Sequence, residues 1–478
     1  MLLKSYVKSN ILYSFFLCCF KRKKGGAHQT KEVFMASLTI PKAKTLPFVG
    51  DFYRLTFEDP LSYFVNLQKR MGNITRFRLG PIKAILISDP SLVAQVLGRD
   101  TRTYIKGKNF DCTRIFLGNG IFVSEGSTWL RHRRMLNPQF TEEKAKNYTD
   151  IIASSAHHLV GKWLEKDGQI VDMPTEMCHL AMEVILRSMF NIEVGKANND
   201  YADAVRVALN FIGERGRNPF ALPMWAPLPS HIKFKKKTKM LDEYIYRSIQ
   251  KARKNPLEKS LIGDFISAKD EDGKTILSDE EIKDHVLTVF LAGHETTALA
   301  LDWTFHLLSQ HEDITRKIRE EIDTITQGRD IKASDLDKLI YTKQVGQEVM
   351  RLYPPICFYP RESTMDQQLG SYHIKKGDQV MLSPYITHRL AKYWQDPEKF
   401  DPDRWQPEKI KEQHPFAYFP FGKGRRVCMG QHFAMAEWTL ITAIIMQKID
   451  FKMVSKNIKP TFVGTLKPNH MQVKVSSL

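Results

Sequence analysis

The sequence predicts a mainly α-helical protein with small β-sheets. Two observations predict this fold class: helical hydrophobic patterns dominate from about residue 90 to residue 350, and short β-like runs occur only before and after that stretch. The chain has 478 residues, of which 42% are hydrophobic and 26% charged, which is typical of a globular protein with a large core. Residues 35–478 contain no linker, repeat or low-complexity tract, so we expect them to form one domain.

The first β-like segment is NITRFRLGPIKAILISDP, residues 73–90, in which Gly80 and Pro81 form the turn between two short strands. Residues 351–425 are rich in proline and turn formers and contain further short strands. A last helix is predicted from about residue 430 to residue 447, followed by a short β-like tail. The sheets are therefore expected to be small and assembled from distant parts of the chain.

The longest predicted helix covers residues 278–310. Ser278 and Glu281 have the spacing of a capping box, and the acidic first turn suits the positive end of a helix dipole. At 1.5 Å per residue this helix would be on the order of 50 Å long, which is enough to cross a domain. We expect it to be the central helix of the fold.

The middle of this helix contains the polar segment AGHETT, residues 292–297, between apolar flanks. Gly293 lowers helix propensity, and Glu295 and Thr296 are costly to bury unless they find partners. A surface patch on an amphipathic helix is one interpretation. Because the flanks are apolar on nearly all sides, we favour a buried functional site.

A second unusual segment is FPFGKGRRVCMGQHFAMAEW, residues 419–438. Its cysteine, Cys428, lies just before a predicted helix, where unpaired N–H groups and the helix dipole favour a metal-binding thiolate. Phe421 is expected to shield the sulfur from water, and Arg426 adds a positive charge. Gly422, Gly424 and Gly430 are expected to allow close approach of the backbone. A plain buried cysteine is the alternative interpretation.

Cysteine usage and charge exclude several classes of protein. The six cysteines form no C-x-x-C pair, which argues against a disulfide framework or a structural zinc site and favours a reducing compartment. The net charge is +18, and the densest basic run is HIKFKKKTKM, residues 231–240. No nucleic-acid-binding motif accompanies this run, so we interpret it as one solvated face of a helix.

Residues 1–34 are interpreted separately, as an N-terminal extension. The segment NILYSFFLCCFKRKK, residues 10–24, is too short to span a bilayer and lacks a signal-peptide cleavage site. It could be a short membrane-associating segment. Alternatively, KEVFM (31–35) can be encoded by a ribosome-binding sequence followed by a start codon, so that the natural chain would begin at Met35 in a bacterium. We favour this second hypothesis.

Five motifs together resemble those of the cytochrome P-450 family. FGKGRRVCMG (421–430) matches every fixed position of that family's haem-binding loop, F-x-x-G-x-R-x-C-x-G. AGHETT (292–297) resembles its oxygen-activating motif, EVMR (348–351) its E-x-x-R pair, FDPDRW (400–405) its Pro/Arg segment, and WLRHR (129–133) its W-x-x-x-R motif. The motifs occur in the family's order, and the resemblance extends over residues 41–478.

The resemblance implies a stand-alone bacterial-type haem domain with a long central helix over the haem. Cys428 would be the ligand of the iron of haem b, and Gly293 would leave room for dioxygen. Phe421 would lie beside the haem, and the residues similar to those that hold the haem propionates are Trp129, Arg133, Arg361 and Arg426. By resemblance, Glu348, Arg351 and Arg404 would form a charge triad with a structural role.

The resemblance also implies a dioxygen-dependent monooxygenase, in which Thr296 and Glu295 would be the catalytic residues that deliver protons. Its substrate would be an apolar compound such as a fatty acid, terpenoid or steroid, modified by C–H hydroxylation or epoxidation. The expected substrate contacts come from about 104–124, 209–230, 289–292, 356–359 and 463–466. A peroxide-driven peroxygenase or isomerase and a non-catalytic haem sensor remain alternatives.

No flavin, nucleotide or iron–sulfur motif is found, so electrons would come from an external ferredoxin or flavodoxin with its reductase. We expect this acidic partner to dock near Lys423 and Arg425. The predicted location is cytoplasmic, with membrane contact at most through residues 1–34 and no contact with nucleic acid.

Overall fold

The structure is a computed structural model that describes residues 38–478, except 47–49, 52–53, 55–57, 80–81, 100–101, 191–195, 218–221, 256–258 and 275. The predictions for residues 1–34 and for the turn at Gly80 and Pro81 lie outside the described residues. Helices make up most of the described chain and the sheets are small, which confirms the predicted fold class.

The α-helices differ widely in length, from single turns to the long central helix. In chain order they are α1 (Pro60–Met71), α2 (Pro90–Ala94), α3 (Asp111–Leu117), α4 (Gly126–Leu136), α5 (Glu142–Lys146), α6 (Thr149–Leu164), α7 (Met173–Phe190), α8 (Lys196–Arg217), α9 (Pro229–Lys254), α10 (Leu261–Ser267), α11 (Asp279–Leu308), α12 (Glu312–Thr326), α13 (Ile340–Leu352), α14 (Pro384–Thr387), α15 (Pro407–Ile410) and α16 (Gln431–Lys448).

The central helix α11 begins where the capping box predicts. The Glu281 N–H donates to Ser278 Oγ at 3.2 Å, and the Ser278 N–H donates to Glu281 Oε2 at 2.9 Å. Most side chains of α11 are buried, because α7 packs along it and α13 and α16 pack against its C-terminal half. The predicted central helix is confirmed over Asp279–Leu308.

The strands form separate small sheets, and the largest has five strands in the order β1-β2-β8-β5-β3. The strands are β1 (Ile74–Leu79), β2 (Ile82–Ile87), β3 (Tyr104–Ile105), β4 (Ile170–Asp172), β5 (Tyr359–Ser363), β6 (Gln367–Leu369), β7 (Tyr372–Ile374), β8 (Gln379–Leu382), β9 (Ile449–Met453), β10 (Pro460–Phe462), β11 (Leu466–Pro468) and β12 (Gln472–Ser477). The predicted first two strands pair antiparallel, with Ile74 opposite Ile87.

Two buried tryptophans fix the elements that surround the central helix. Trp438 Nε1 on α16 donates to Thr304 Oγ1 on α11 at 2.8 Å. Trp303 Nε1 on α11 donates to the carbonyl oxygen of Leu466 on β11 at 2.9 Å. Because Cys428 lies just before α16, the first contact also sets the position of the cysteine loop relative to α11.

Two further findings concern the cysteines and the membrane. Cys178, Cys357 and Cys428 have free thiols, and Cys112 is disulfide-bonded. Within the described part of the chain, no helix is both long enough and apolar enough to cross a lipid bilayer.

Candidate functional site

The loop that carries Cys428 is closed by a hydrogen bond from the Cys428 N–H to the carbonyl oxygen of Phe421, at 2.9 Å. Gly424 has φ +71°, and a Cβ there would lie 1.9 Å from the carbonyl oxygen of Leu97, so a side chain cannot be accommodated. Gly430 has φ −78° and open space around it. The predicted close approach of the backbone is thus seen at Gly424, and it stays a prediction at Gly430.

The Cys428 side chain is solvent-accessible although protein surrounds it, so its sulfur faces an interior space. Burial raises the pKa of the Cys428 thiol, while a backbone hydrogen bond from Gly430 and the charges of Arg133 and Lys106 oppose that rise. The helix start therefore favours the thiolate, as predicted, but burial outweighs it. A bound metal cation would supply the missing positive charge.

Helix α4 brings two of the predicted cofactor-binding residues to the cysteine loop. Arg133 Nη1 donates to the carbonyl oxygen of Val427 at 2.7 Å, directly before Cys428. The Arg426 guanidinium lies over the indole ring of Trp129, with Arg426 Cζ 4.2 Å from the ring centroid. Arg426 also forms an ion pair with Glu125. The structure therefore places Trp129, Arg133 and Arg426 together around one loop.

Two more cations are buried in the same region. Arg361 is 6% exposed, and its Nη1 donates to the carbonyl oxygen of Pro360 at 2.8 Å. Burial and then the neighbouring Arg426 lower the pKa of Arg361 to about 10. Lys106 is 9% exposed and donates to the carbonyl oxygen of Phe122. Its pKa lies well below the ordinary value because of burial and then of Arg361 and Arg426.

This cation cluster, Lys106, Arg361 and Arg426, has the donor set that a dianionic group requires. Glu125 is the carboxylate that acts on all three cations. Arg426 Nε is buried and has no hydrogen-bond partner among the described residues. Burying several positive charges close together costs free energy unless anions lie beside them. Two haem propionates would supply these anions, so the residues present fit the cofactor that the sequence resemblance implies.

Sequence reasoning missed Lys106 and Glu125, which come to the cluster from segments outside the five motifs. The signal available in the sequence was weak: Lys106 is the first of two lysines, with Lys108, that follow the short strand β3. Among the described residues, no group of three or more His, Cys, Asp or Glu side chains could hold a metal ion.

The polar segment of α11 is enclosed by other elements, which supports the buried interpretation. Its four polar side chains find partners in different directions. His294 Nδ1 lies 2.7 Å from the carbonyl oxygen of Phe290, and Thr297 Oγ1 donates to Glu437 Oε2 on α16 at 3.2 Å. Burial raises the pKa of Glu437 to about 8, so this carboxyl is protonated at neutral pH.

The two predicted catalytic side chains lie on this segment. Thr296 Oγ1 donates to the carbonyl oxygen of Ala292 at 2.7 Å, which leaves the lone pairs of the hydroxyl oxygen available as acceptors. Glu295 forms an ion pair with Lys467 on β11, and Thr465 Oγ1 lies 3.4 Å from the same carboxylate oxygen. In this structure Glu295 is therefore held by the strand region that follows α16.

Gly293 faces helix α7. A Cβ at this position would lie 2.7 Å from Ile185 Cδ1 on α7. The missing side chain of Gly293 thus permits close packing of α7 and α11, and the expectation that Gly293 leaves room for dioxygen stays a prediction. Ala292, one residue earlier, is the exposed position of this segment.

The predicted charge triad is present behind the cysteine loop. Glu348 and Arg351 are fully buried and make two hydrogen bonds, of 2.8 and 2.9 Å. Arg404 Nε and Trp405 Nε1 donate to the same Glu348 carboxylate at 2.8 and 2.9 Å. Arg351 also donates to the carbonyl oxygens of residues 388, 397 and 399. The two guanidinium groups of the triad share one carboxylate, and carbonyl oxygens accept the remaining Arg351 hydrogen bonds, so the triad joins α13 to the segment around residue 400.

Comparison with known proteins places these features in one family. The family model for cytochrome P450 matches residues 40–475. The chain is 32% identical over 406 residues to cyclooctat-9-en-7-ol 5-monooxygenase of Streptomyces melanosporofaciens, covering 84% of this chain and 87% of the relative. It is 29% identical over 422 residues to pentalenene oxygenase of Streptomyces avermitilis, covering 88% and 92%.

A solved structure shows the same fold. The crystal structure of the cytochrome P450DA heme domain superimposes with a TM-score of 0.85 at 26% sequence identity, covering 93% of this chain and 98% of that chain.

Proposed function

The chain belongs to the cytochrome P450 family and is a cytochrome P450 monooxygenase, and we propose that it binds haem b through Cys428 and oxidises a terpenoid-like substrate. One observation supports this site more than any other: the accessible Cys428 sulfur lies beside a buried cluster of cations that share one carboxylate. A thiolate-bound haem and its two propionates complete both halves of this arrangement.

In this proposal each residue of the site has a separate task. Cys428 binds the iron, while Lys106, Arg361 and Arg426 hold the propionates together with Trp129 and Arg133. Phe421 covers the sulfur. Haem bound through a thiolate would supply the activation of dioxygen, and dioxygen would be the source of the oxygen atom that is inserted into the substrate. The triad of Glu348, Arg351 and Arg404 keeps the loop in place and takes no part in the chemistry.

Proton delivery is assigned to Glu295 and Thr296. The Thr296 hydroxyl donates its hydrogen bond to the carbonyl oxygen of Ala292, so its oxygen can accept a hydrogen bond from a water molecule and hold that water in place. The Glu295 carboxylate, which is paired with the partly exposed Lys467, can receive protons from the region around Lys467. Release of Glu295 from Lys467 would let the carboxyl move toward Thr296, which is the adjacent residue on the helix.

The substrate class follows from apolar side chains and from the relatives. Several apolar residues in the predicted substrate segments keep exposed surface: Phe122, Val289, Ala292, Ile356 and Val463. The two bacterial relatives named above are a cyclooctat-9-en-7-ol 5-monooxygenase and a pentalenene oxygenase. We therefore propose a terpenoid, rather than a fatty acid or a steroid, as the substrate class.

Electrons are proposed to come from an acidic ferredoxin or flavodoxin. Arg425 is exposed on the cysteine loop and available to such a partner. Lys423 is less suited than expected, because it donates to the carbonyl oxygen of Pro415 and its pKa is lowered by burial. Reversal of the Arg425 charge should slow reduction, most clearly at low salt. The Lys392→Glu substitution, on another exposed residue, is the control.

A screen of terpenoids, fatty acids and steroids against the haem-loaded protein tests the substrate class. A terpenoid that displaces water from the iron changes the spin state of the haem, and we expect the strongest response from this class. Turnover is then measured with reduced ferredoxin and dioxygen. Turnover with peroxide alone would favour a peroxygenase or isomerase, and ligand binding without turnover would favour a sensor.

A further inference from the structure

Asp302, on the C-terminal half of α11, carries a buried carboxyl group that the proposed mechanism does not use. The residue is 1% exposed, and its Oδ1 atom is buried without a hydrogen-bond partner among the described residues. Such a group is costly, because it loses its contacts with water and gains no hydrogen bond in exchange. A buried polar atom that stays unsatisfied in a folded protein often has a functional role.

Asp302 lies on the same face of α11 as Glu295, to which proton delivery is assigned. The two residues are seven positions apart on one continuous helix, Asp279–Leu308. This spacing places their side chains within about 20° of one another around the helix axis and about 10 Å apart along it. A flexible side chain attached beside this face can therefore reach either carboxyl group.

Lys467 on β11 is such a side chain. Its Nζ forms an ion pair with Glu295, and its side chain is 40% exposed. Its backbone follows Leu466, whose carbonyl oxygen accepts from Trp303 Nε1 at 2.9 Å. Trp303 comes directly after Asp302 in the chain. The backbone of Lys467 is thus held near the Asp302 end of the face, while its amine extends to Glu295.

The electrostatic interactions around Asp302 agree with this placement. Burial, and then the Asp172 carboxylate of β4, raise the pKa of Asp302 well above its ordinary value, and Lys467 opposes that rise. On α7, burial and then Glu295 and Asp302 raise the pKa of the Cys178 thiol, and Lys467 opposes that rise too. Asp302 therefore favours its protonated form while Lys467 is paired with Glu295.

We propose that Asp302 is a positioning residue for proton delivery, and that Lys467 exchanges Glu295 for Asp302 as its carboxylate partner. The net step moves one proton from Asp302 to Glu295, so the number of charges is unchanged. Neutral Glu295, released from the lysine, turns toward Thr296 and donates its proton there. Asp302, now an anion beside Lys467, regains a proton from solvent. This inference rests on the role proposed above for Glu295 and Thr296.

A purely structural role explains Asp302 less well. The structural carboxylate Glu348 accepts hydrogen bonds from Arg351, Arg404 and Trp405. Asp302 Oδ1 is as deeply buried but accepts none from the described residues. Direct protonation of Glu295 from solvent is the other alternative, and it needs no exchange of the lysine. The two alternatives predict that Lys467 never pairs with Asp302.

The first test follows the carboxyl stretching band of protonated Asp302 in infrared spectra of the haem-loaded protein. Isotope-labelled aspartate separates aspartate bands from glutamate bands, and either Asp302→Asn or Asp302→Glu identifies the band of Asp302. In Glu295→Gln the titration midpoint of this band should fall by at least about one pH unit, which is tenfold in the ionisation constant, because Lys467 is then free to pair with Asp302.

Two controls isolate the contribution of the lysine. In the Lys467→Met background, Glu295→Gln should move the midpoint by less than about 0.3 pH unit, because no cation is released. Glu398→Gln frees Arg389 on another part of the surface and should leave the midpoint unchanged. An unchanged midpoint in Glu295→Gln, or an equal fall with and without Lys467, would overturn the exchange.

Turnover on the terpenoid selected by the screen tests the role in proton delivery. Product formation should fall roughly tenfold in Asp302→Asn, with more of the consumed dioxygen released as hydrogen peroxide, and Asp302→Glu should restore most of it. Unchanged product formation in Asp302→Asn would overturn this role. A wild-type protein without turnover would contradict the proposed function instead, and the infrared measurement would still decide whether Lys467 exchanges its partner.

Discussion

The molecule buries charge in two places that are built in opposite ways. In the triad, the Glu348 carboxylate accepts from Arg351, Arg404 and Trp405, and Arg351 also donates to three carbonyl oxygens. In the cation cluster, Arg361 and Arg426 lower the pKa of Lys106, Arg426 lowers the pKa of Arg361, and the Glu125 carboxylate opposes the shift of each of the three cations. Arg426 Nε has no partner among the described residues.

This difference separates a structural charge cluster from a binding site. A cluster whose buried hydrogen-bonding groups all find partners stabilises the fold and needs no ligand. A cluster that keeps an excess of one sign destabilises the empty protein and gains from an added anion. Substitutions in the triad should therefore change mainly the free energy of unfolding, and substitutions in the cation cluster should change mainly the affinity for haem.

The largest effect is expected for Glu348→Gln, which leaves Arg351 and Arg404 without their shared anion. The free energy of unfolding should fall by about 3–5 kcal/mol, with or without haem, because a buried ion pair is broken on one side. Urea unfolding of the two forms measures this. The control Glu398→Gln removes a carboxylate that is 74% exposed and paired with Arg389, and should cost less than about 1 kcal/mol.

Arg361→Met should have the next largest effect, and on a different quantity. Haem affinity should fall roughly 10- to 100-fold, since a charged hydrogen bond to a propionate is worth about 1.5–3 kcal/mol. The haem-free protein should keep or gain stability, because Arg361 no longer repels Arg426 and Lys106. Haem titration and urea unfolding of the haem-free protein measure the two quantities. A loss of stability as large as that of Glu348→Gln would show that Arg361 is structural.

Local features of this fold are predictable from the sequence, whereas the contacts between residues that are distant in the sequence are not. The start of α11 follows from Ser278 and Glu281 because a capping box involves only neighbouring residues. Whether a side chain would fit at Gly293 depends on the position of Ile185, which lies on another helix. No spacing in the sequence contains that information.

The candidate site divides in the same way. Cys428 can be recognised within its own loop, and Trp129, Arg133, Arg361 and Arg426 were found through family motifs. Lys106 and Glu125 join them only through tertiary packing. The thiol pKa also required the structure, because burial of Cys428 outweighs the helix start that the sequence shows.

A third effect concerns pH and Lys106. Its pKa in the folded haem-free protein is well below that of the unfolded chain, so the unfolded state binds more protons. Stability of the haem-free protein should therefore rise with pH, by at most about 1.4 kcal/mol per pH unit, between the folded pKa and the ordinary lysine value near 10.4. Lys106→Met should flatten this slope in unfolding curves recorded across that range. An unchanged slope would mean that Lys106 is charged in the folded protein.

The smallest effect is expected for Glu125→Gln. This substitution should raise the affinity for haem, whereas Arg361→Met should lower it. Loss of this carboxylate should destabilise the haem-free protein by about 1 kcal/mol, because the cations lose the anion that acts on them. Haem affinity should rise severalfold in the same titrations, since the propionates no longer compete with Glu125. A fall in haem affinity would show that Glu125 positions the cations for haem rather than competing with it.

The central claim is that the thiolate of Cys428 binds the iron of haem in this protein, and the absorption spectrum of the reduced, carbon-monoxide-bound protein tests it most directly. We predict the spectrum of a thiolate-bound haem for the wild-type protein and its loss in Cys428→Ser. A spectrum typical of histidine ligation in the wild-type protein, or a thiolate spectrum that persists in Cys428→Ser, would contradict the claim.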